Sequence, residues 1–140
     1  MINLEKFDSN NISHLELINQ LKNDENVNKN VGIILCPNSN TYVIKNSDIS
    51  TGLIKINKEY GDNYSIDVAV LEQYRGNNIG TIALKQITEM IEDYNKLLIR
   101  TKYDNKAAIM LAKKAGFASD YEENEKCSDE GVDYTIFSKR

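Results

Sequence analysis

Apolar residues alternate with other residues along several short stretches of the chain, and this period of two predicts β-strands. The clearest case is the stretch 64–70, in which Ile66, Val68 and Val70 occupy every second position. Turn-forming residues separate the stretches, as at 46–48, where the sequence predicts a hairpin. Strands are expected at 2–7, 41–45, 51–57, 64–70, 96–101, 117–125 and 133–138.

A first helix is predicted from a capping pattern that precedes an apolar stripe. Ser13 and Glu16 have the spacing of a capping box, in which each side chain reaches the backbone amide of the other residue. Ile12 and Leu17 stand at the two positions of a hydrophobic staple. His14 falls in the first turn and is expected at the surface. The buried stripe is expected to contain Leu15, Leu17, Ile18 and Leu21.

Two further helices are predicted in the second half of the chain. The stretch 105–115 carries small and apolar residues at helical spacing and ends before Gly116, a typical helix stop. The polar run 23–30 is either a loop or a short additional helix. Strands and helices together indicate one α/β domain over residues 1–140. The stretch 79–94 predicts a helix with one apolar face, formed by Ile79, Ala83, Ile87, Met90, Ile91 and Tyr94.

The composition is that of a globular protein that binds neither membranes nor nucleic acid. Of the 140 residues, 41% are hydrophobic and 27% are charged, which is ordinary for one domain. The net charge of −4 argues against nonspecific nucleic-acid binding, which needs a basic face. No apolar run approaches the roughly 20 residues that span a bilayer, and the N-terminus lacks the pattern of a signal peptide. One histidine and two distant cysteines predict no metal site, so we expect a cytoplasmic protein with reduced thiols.

A turn at residues 73–80 carries the strongest chemical signal in the chain. It joins the strand at 64–70 to the helix at 79–94 and contains Gly76 and Gly80. Glycines let backbone amides approach a ligand closely, and the free N–H groups at a helix start attract anions. Arg75 adds a positive charge to the same turn. We therefore expect a phosphate or pyrophosphate ligand, although neither the Walker pattern nor the dinucleotide glycine pattern is present.

The turn and three other segments resemble one known family. Residues 73–80 read Gln-Tyr-Arg-Gly-Asn-Asn-Ile-Gly and resemble the Q/R-x-x-G-x-G/A loop of the GNAT superfamily of N-acetyltransferases. Residues 105–117 are similar to the N-x-x-A-I-x-L-Y-x-K-x-G-F helix of that family, 68–70 to its L-A-V strand, and 52–54 to its G-x-I segment. The resemblance implies a single GNAT-like domain whose mixed, mostly antiparallel central sheet is flanked by about four helices.

The same resemblance implies acetyl-coenzyme A as cosubstrate. Backbone groups of Val68 and Val70 would meet the pantetheine arm, which would lie beside their strand like an added strand. Asn105 would bond the pantetheine as well as cap its own helix, while Ala108 and Ala112 are small enough for the coenzyme to lie against that helix. Gln73 would open the coenzyme-binding motif and brace the turn. The pyrophosphate would be surrounded by the residues that follow, namely Arg75, Gly76, Asn77, Asn78, Ile79, Gly80 and Thr81.

Two residues depart from the family pattern. Asn78 stands where glycine or alanine is usual, and because asparagine tolerates a positive φ the turn is expected to survive. Ala112 takes the place of a tyrosine that often protonates the departing thiolate.

Three residues are the candidates for acid–base chemistry. Tyr64 is in phase with the coenzyme-facing residues of its strand but is a poor base. Asp67 is a carboxylate on the same strand in the opposite phase, unless a bulge re-aims it. Tyr103 precedes the third helix and would approach the thiol from another direction.

The resemblance implies transfer of an acetyl group to a primary amine on a small molecule or at a peptide or protein N-terminus. The acceptor pocket would be built from the N-terminal helices and the loop 124–131. Two alternatives remain open: a catalytically weak or inactive acyl-CoA-binding module that acts through a protein partner, and a nucleotide-binding domain with a similar turn. The chain is expected to be a monomer or homodimer.

Overall fold

Seven strands form one sheet, as the alternating pattern predicts. The computed structural model describes residues 1–25, 27, 35–102, 104–120 and 134–140. The strands are β1 Ile2–Lys6, β2 Thr41–Asn46, β3 Ile49–Lys58, β4 Asn63–Val70, β5 Lys96–Lys102, β6 Ala118–Ser119 and β7 Tyr134–Lys139. Their order across the sheet is β1-β2-β3-β4-β5-β7-β6, and every neighbouring pair is antiparallel except β4 and β5. The predicted α/β class with a mixed, mostly antiparallel sheet is confirmed.

Three α-helices flank the sheet in the described part of the chain, one fewer than the four expected. They are α1 Ile12–Lys22, α2 Ile79–Met90 and α3 Lys106–Lys114, with a short 3₁₀ turn at Glu72–Tyr74. Half of the residues of the additional helix considered at 23–30 fall outside the described residues. No helix among the described residues has the length and hydrophobicity needed to cross a membrane.

The two faces of the sheet carry two separate cores. One face is covered by α2 and α3, whose side chains pack with Ile54, Ile66 and Leu97. The other face is covered by α1, whose side chains pack with Leu53 and Ala69. Adjacent residues of one strand therefore belong to different cores, which is the physical origin of the alternating sequence pattern.

The sheet divides between β4 and β5. The parallel ladder pairs Asn63 with Lys96, Tyr64 with Leu97 and Ser65 with Leu98, and it ends there. On its other edge β4 stays paired with β3 as far as Val70, and β5 stays paired with β7 through its end. All residues of β4 and β5 are described, so the two strands diverge beyond residues 65 and 98. We call this opening the split.

The first helix differs from its prediction because Asn11, not Ser13, is the N-cap. The Asn11 backbone is extended, and its side-chain oxygen accepts hydrogen bonds from the N–H groups of Ser13 and His14. The helix therefore begins at Ile12, which is 72% exposed, and the expected staple is wrong. Leu15 is also exposed, because the face on the sheet is formed by His14, Leu17, Ile18 and Leu21.

His14 is buried, which corrects the expectation of a surface histidine. The backbone N–H of Asp8 donates to Nδ1 at 2.9 Å, so the ring hydrogen is on Nε2 and faces Glu5 Oε2 at 3.2 Å. The ring also stacks on Phe7 with centroids 5.7 Å apart. The only imidazole of the chain thus joins β1 to α1 and has a structural role.

The other helices are slightly shorter than predicted. Helix α2 ends at Met90, which is 50% exposed, because Ile91 has an extended backbone. The chain then turns so that Asn95 N donates to Asp62 O and Asn95 Nδ2 donates to Asn63 Oδ1. Asn105 and Ala115 are the caps of α3, and Gly116 follows with a φ of +91° as a helix stop. The last part of the strand predicted at 117–125 lies outside the described residues.

Candidate functional site

A cavity of about 290 Å³ occupies the split. One wall is β4 at residues 66–70, and the opposite wall is β5 at residues 99–101. The start of α2, the preceding turn and one face of α3 complete the lining, with Val27 from the segment after α1. Because β4 has no ladder partner on this edge beyond Ser65, its backbone groups are open to a ligand in the cavity.

Two residues of the turn before α2 have left-handed backbone conformations. Gly76 has a φ of +87°, and Asn78 is the N-cap with φ 60° and ψ 15°, so the expected tolerance of asparagine there is confirmed. The first helical hydrogen bond runs from Ile82 N to Asn78 O at 3.0 Å. The N–H groups of residues 79–81 precede it and lie in the cavity lining, where the positive end of the helix dipole favours a negative ligand.

Gly80 favours close packing at the start of α2. A Cβ atom added there would lie 2.8 Å from Leu111 Cδ1 and within 3.7 Å of the side chains of Val68 and Val70. The missing side chain therefore lets the start of α2 approach both α3 and β4.

Arg75 borders the cavity, but its charge is already engaged. Its Nη2 contacts Asp24 Oδ2 at 2.6 Å, and its Nε donates to Val70 O at 3.0 Å. The Asp24 side chain is only 11% exposed, so this pair is partly shielded from water. Asp24 is 51 residues away in the chain, and no local pattern identified it as the partner.

Asp67 lies in the cavity lining on the α1 side of β4. No bulge re-aims it, because β3 and β4 pair in continuous register from Gly52–Val70 to Lys58–Tyr64. Residues of both faces of β4, Asp67 and Ala69 on one and Ile66, Val68 and Val70 on the other, line the cavity. Asn57 Nδ2 donates to Asp67 Oδ2 at 2.8 Å.

Burial raises the pKa of Asp67 above its ordinary value of 3.8 and is the largest influence on that group. The hydrogen bond from Asn57 and the positive charges of Lys55 and Arg100 act in the opposite direction, while Glu59 adds to the rise. The outcome is a carboxylate of increased basicity beside an accessible cavity, which is what a proton acceptor requires.

The other two acid–base candidates are placed differently. Tyr64 pairs with Leu97 in the closed part of the ladder, is packed against the core and does not line the cavity. Tyr103 lies outside the described residues, as does the loop 124–131 that was expected to form part of the acceptor pocket. Among the three candidates, the described part of the chain brings Asp67 alone into the cavity.

The residues expected to bind the coenzyme divide into two groups. Ala112 is fully buried in the core beneath α3, and Gln73 and Asn77 are exposed on the turn outside the lining. A larger side chain at 112 would therefore have to displace core residues. Asn105 caps α3 by accepting from Ala108 N at 3.3 Å. The lining contains the remaining ten, namely Val68, Val70, Arg75, Gly76, Asn78, Ile79, Gly80, Thr81, Asn105 and Ala108.

Several lining residues were not anticipated from the sequence. Arg100 and Thr101 come from β5, Met110 and Lys114 from α3, and Tyr74 from the 3₁₀ turn. Arg100 and Thr101 would have been found only by knowing that β5 runs parallel to β4 and leaves it after three residue pairs. That information lies in the strand order and not in the local pattern.

The sequence matches the family model described as acetyltransferase (GNAT) family over residues 10–117. The matched range includes both walls of the split, the turn and all of α3. Among curated proteins, none matches this sequence.

Solved structures share the fold at low sequence identity. An acetyltransferase from Agrobacterium tumefaciens strain C58 has a TM-score of 0.78 at 10% identity, over 99% of this chain and 90% of that chain. A ribosomal L7/L12 alpha-N-protein acetyltransferase in complex with coenzyme A has a TM-score of 0.76 at 15% identity, over 99% and 93%. A spermidine N-acetyltransferase from Vibrio cholerae, in complex with coenzyme A and spermine, has a TM-score of 0.72 at 12% identity, over 98% and 92%.

Proposed function

Because the chain belongs to the acetyltransferase (GNAT) family, we propose that it transfers an acetyl group directly from acetyl-coenzyme A to a primary amine. The acceptor amine belongs to a small molecule or to a peptide N-terminus. The observation that carries this proposal is the split, which places an open strand edge, a helix N-terminus and a half-buried carboxylate around one cavity. The two coenzyme-bound neighbours named above are both N-acetyltransferases by description, which supports an amine acceptor.

The coenzyme would occupy the β4 and α2 side of the cavity. The free N–H groups at residues 79–81 would receive its pyrophosphate, because they combine unsatisfied donors with the positive end of the helix dipole. The open edge of β4 at Val68 and Val70 would bond its pantetheine arm in the manner of an added strand, alongside the hydrogen bond that Val70 O already accepts from Arg75 Nε. The thioester would then point toward the closed end of the split.

The chemistry needs a proton acceptor and exact placement of two reactants. The amine nitrogen attacks the thioester carbonyl carbon, the carbon–sulfur bond breaks, and the coenzyme leaves as a thiolate. Asp67 receives the proton that the nitrogen loses, directly or through one water molecule. Holding amine and thioester together lowers the activation barrier by roughly 7–11 kcal/mol. A thiol has a pKa of about 8.5, so the thiolate is a good leaving group. It can leave without being protonated by an acid at position 112.

A binding module without catalysis is the second candidate. It is favoured by one observation, the alanine at 112 in place of the family's tyrosine. The two candidates differ in their products. Incubation with acetyl-coenzyme A and a panel of amines, followed by mass spectrometry and thiol detection, should show an acetylated amine and one equivalent of free coenzyme A. Binding of coenzyme A without any acetylated product across the panel would favour the module.

Replacing Gly76 by valine is expected to weaken coenzyme A binding at least tenfold. A Cβ there meets no atom within 4 Å, so the branched side chain would project into the open space where the phosphates should approach. Isothermal titration with coenzyme A measures the effect.

Gly61→Val is the matched control for this variant. Gly61 also has a positive φ and also has open space around its Cβ position, but it lies in the turn between β3 and β4 and does not line the cavity. Both variants place a valine at a positive φ and therefore both suffer backbone strain. Equal loss of affinity in the two would mean that the turn does not receive the phosphates.

Replacing Asp24 by asparagine is expected to strengthen coenzyme A binding a few-fold, or by about 1 kcal/mol. Asparagine retains the Oδ1 atom that accepts from Val27 N at 3.2 Å, but it removes the charge that now offsets Arg75. The gain should shrink as salt is added, since it is electrostatic. Titrations at two salt concentrations test this, with Asp48→Asn on the β2–β3 turn as the control. Unchanged affinity for coenzyme A would mean that Arg75 stabilises the turn and does not attract the coenzyme.

A further inference from the structure

Two opposite charges face each other across the split. The parallel ladder ends at Ser65 and Leu98, and two residues further along each strand stand Asp67 and Arg100. Both line the cavity. The two positions are therefore equivalent in register, one on each wall.

The two side chains also lie on the same face of the sheet. Ile66 and Ile99, the residues just before them, belong to the core beneath α2 and α3, so Asp67 and Arg100 lie on the α1 side. Their proximity has an electrostatic consequence, because the charge of Arg100 lowers the pKa of Asp67 against the effect of burial.

The ion pair of Arg100 is long and leaves the guanidinium able to bind another anion. Its Nη1 contacts Glu59 Oε1 at 3.5 Å, well beyond the roughly 2.7–2.9 Å of a strong charge-assisted bond. Its side chain is 39% exposed. A guanidinium in this state can accept an anionic group of a ligand in bidentate geometry.

We propose that the acceptor is a small zwitterion, in which the primary amine meets Asp67 and a carboxylate on the same molecule meets Arg100. The inference rests on the proposed acetyl transfer and adds the class of acceptor. Arg100 acts here as a specificity-determining residue. A ligand with positive charges alone, such as a polyamine, would place a second cation against Arg100 and would be disfavoured by repulsion.

The test compares amino acids with their carboxamides as acceptors. The panel contains α-amino acids, β-alanine, the matching carboxamides, and a polyamine. For the wild type, we expect kcat/KM for the best amino acid to exceed that for its carboxamide by about ten- to a hundredfold, through KM. Similar values for both compounds, or a preference for the polyamine, would overturn the inference.

Variants at Arg100 separate recognition from folding. Arg100→Gln should remove the preference for the amino acid over its carboxamide, because only the carboxylate loses a charged partner. Arg100→Lys should keep part of the preference because the charge remains. Lys102→Gln removes the same charge from β5 at a residue outside the cavity lining and should leave the preference intact. An equal loss on both acceptor types in Arg100→Gln would mean a structural role and would contradict the proposal.

A binding measurement keeps this inference distinct from the proposed function. Titration of the same amino acids and carboxamides into the protein with coenzyme A present does not need turnover. If carboxamides are acetylated as efficiently as amino acids, the proposed acetyl transfer stands and the zwitterionic acceptor is wrong. If no amine is acetylated but amino acids bind in preference to carboxamides and Arg100→Gln abolishes this, the transfer is wrong and the zwitterion site stands.

Discussion

Replacing Asp67 by asparagine is expected to lower kcat by about 10²- to 10⁴-fold, the usual contribution of a general base. The substitution keeps the shape of the side chain and an oxygen that can accept the hydrogen bond from Asn57. Affinity for coenzyme A should not change, since Asp67 lies on the α1 side of β4 and the amides proposed to bind the pyrophosphate lie at the start of α2. Steady-state kinetics and titration calorimetry measure the two quantities.

The pH dependence of the wild type should report the same carboxylate. Only ionised Asp67 accepts a proton, so kcat/KM should fall as the pH falls through the raised pKa of this group. Asp67→Asn should remove that limb of the profile from its residual activity.

As the pH rises, the stability of the fold should decrease while kcat/KM increases. Since the folded protein holds the Asp67 proton more tightly than the unfolded chain, stability is lost as the pH rises from 3.8 through the folded pKa. At neutral pH the buried charge is therefore unfavourable, and Asp67→Asn should melt at an equal or higher temperature than the wild type. This outcome would separate a lost base from a damaged fold.

Asp48→Asn provides the control, because it removes the same charge from the exposed turn between β2 and β3. It should alter neither turnover nor the pH profile. Wild-type turnover in Asp67→Asn would exclude Asp67 as the base and would direct attention to Tyr103 or to the substrate itself.

Replacing Gly52 by alanine is expected to destabilise the domain by about 3 kcal/mol, at the upper end of the range for overpacking. Its new Cβ would lie 2.3 Å from Ala69 O and 3.0 Å from Val70 Cα. These are backbone atoms of β4, so the clash can be relieved only by moving the strand that forms one wall of the cavity. Thermal unfolding should show a drop of roughly 10 °C.

Gly61→Ala is the comparison, because its φ of +65° imposes a backbone cost but its Cβ would have open space. It should cost about 1–2 kcal/mol. If Gly52→Ala folds, coenzyme A affinity should fall with stability, whereas Gly61→Ala should keep its affinity. A wild-type melting temperature for Gly52→Ala would mean that β3 and β4 can separate more easily than their register indicates.

The strands, the turn and the family were predictable because their signals are local. Alternation along β4 reflects two cores that contact successive residues of one strand. Gly76 and Asn78 mark a turn whose positive φ values few other residues tolerate. The fold follows from such patterns, because each reports on the backbone of a few consecutive residues.

The chemistry of the cavity depends on contacts between distant parts of the chain. The ion pair of Arg75 and Asp24 joins residues that are 51 positions apart in the chain. Asp67 and Arg100 lie opposite each other only because β4 and β5 are neighbours in the sheet and then diverge. The burial of Ala112 and His14 likewise depends on which helix face meets the sheet. A linear pattern identifies the face of a strand or helix, but only the packing of elements decides which charges meet. The glycine-containing turn before α2 was therefore evident from the sequence, and the two charged walls of the split were not.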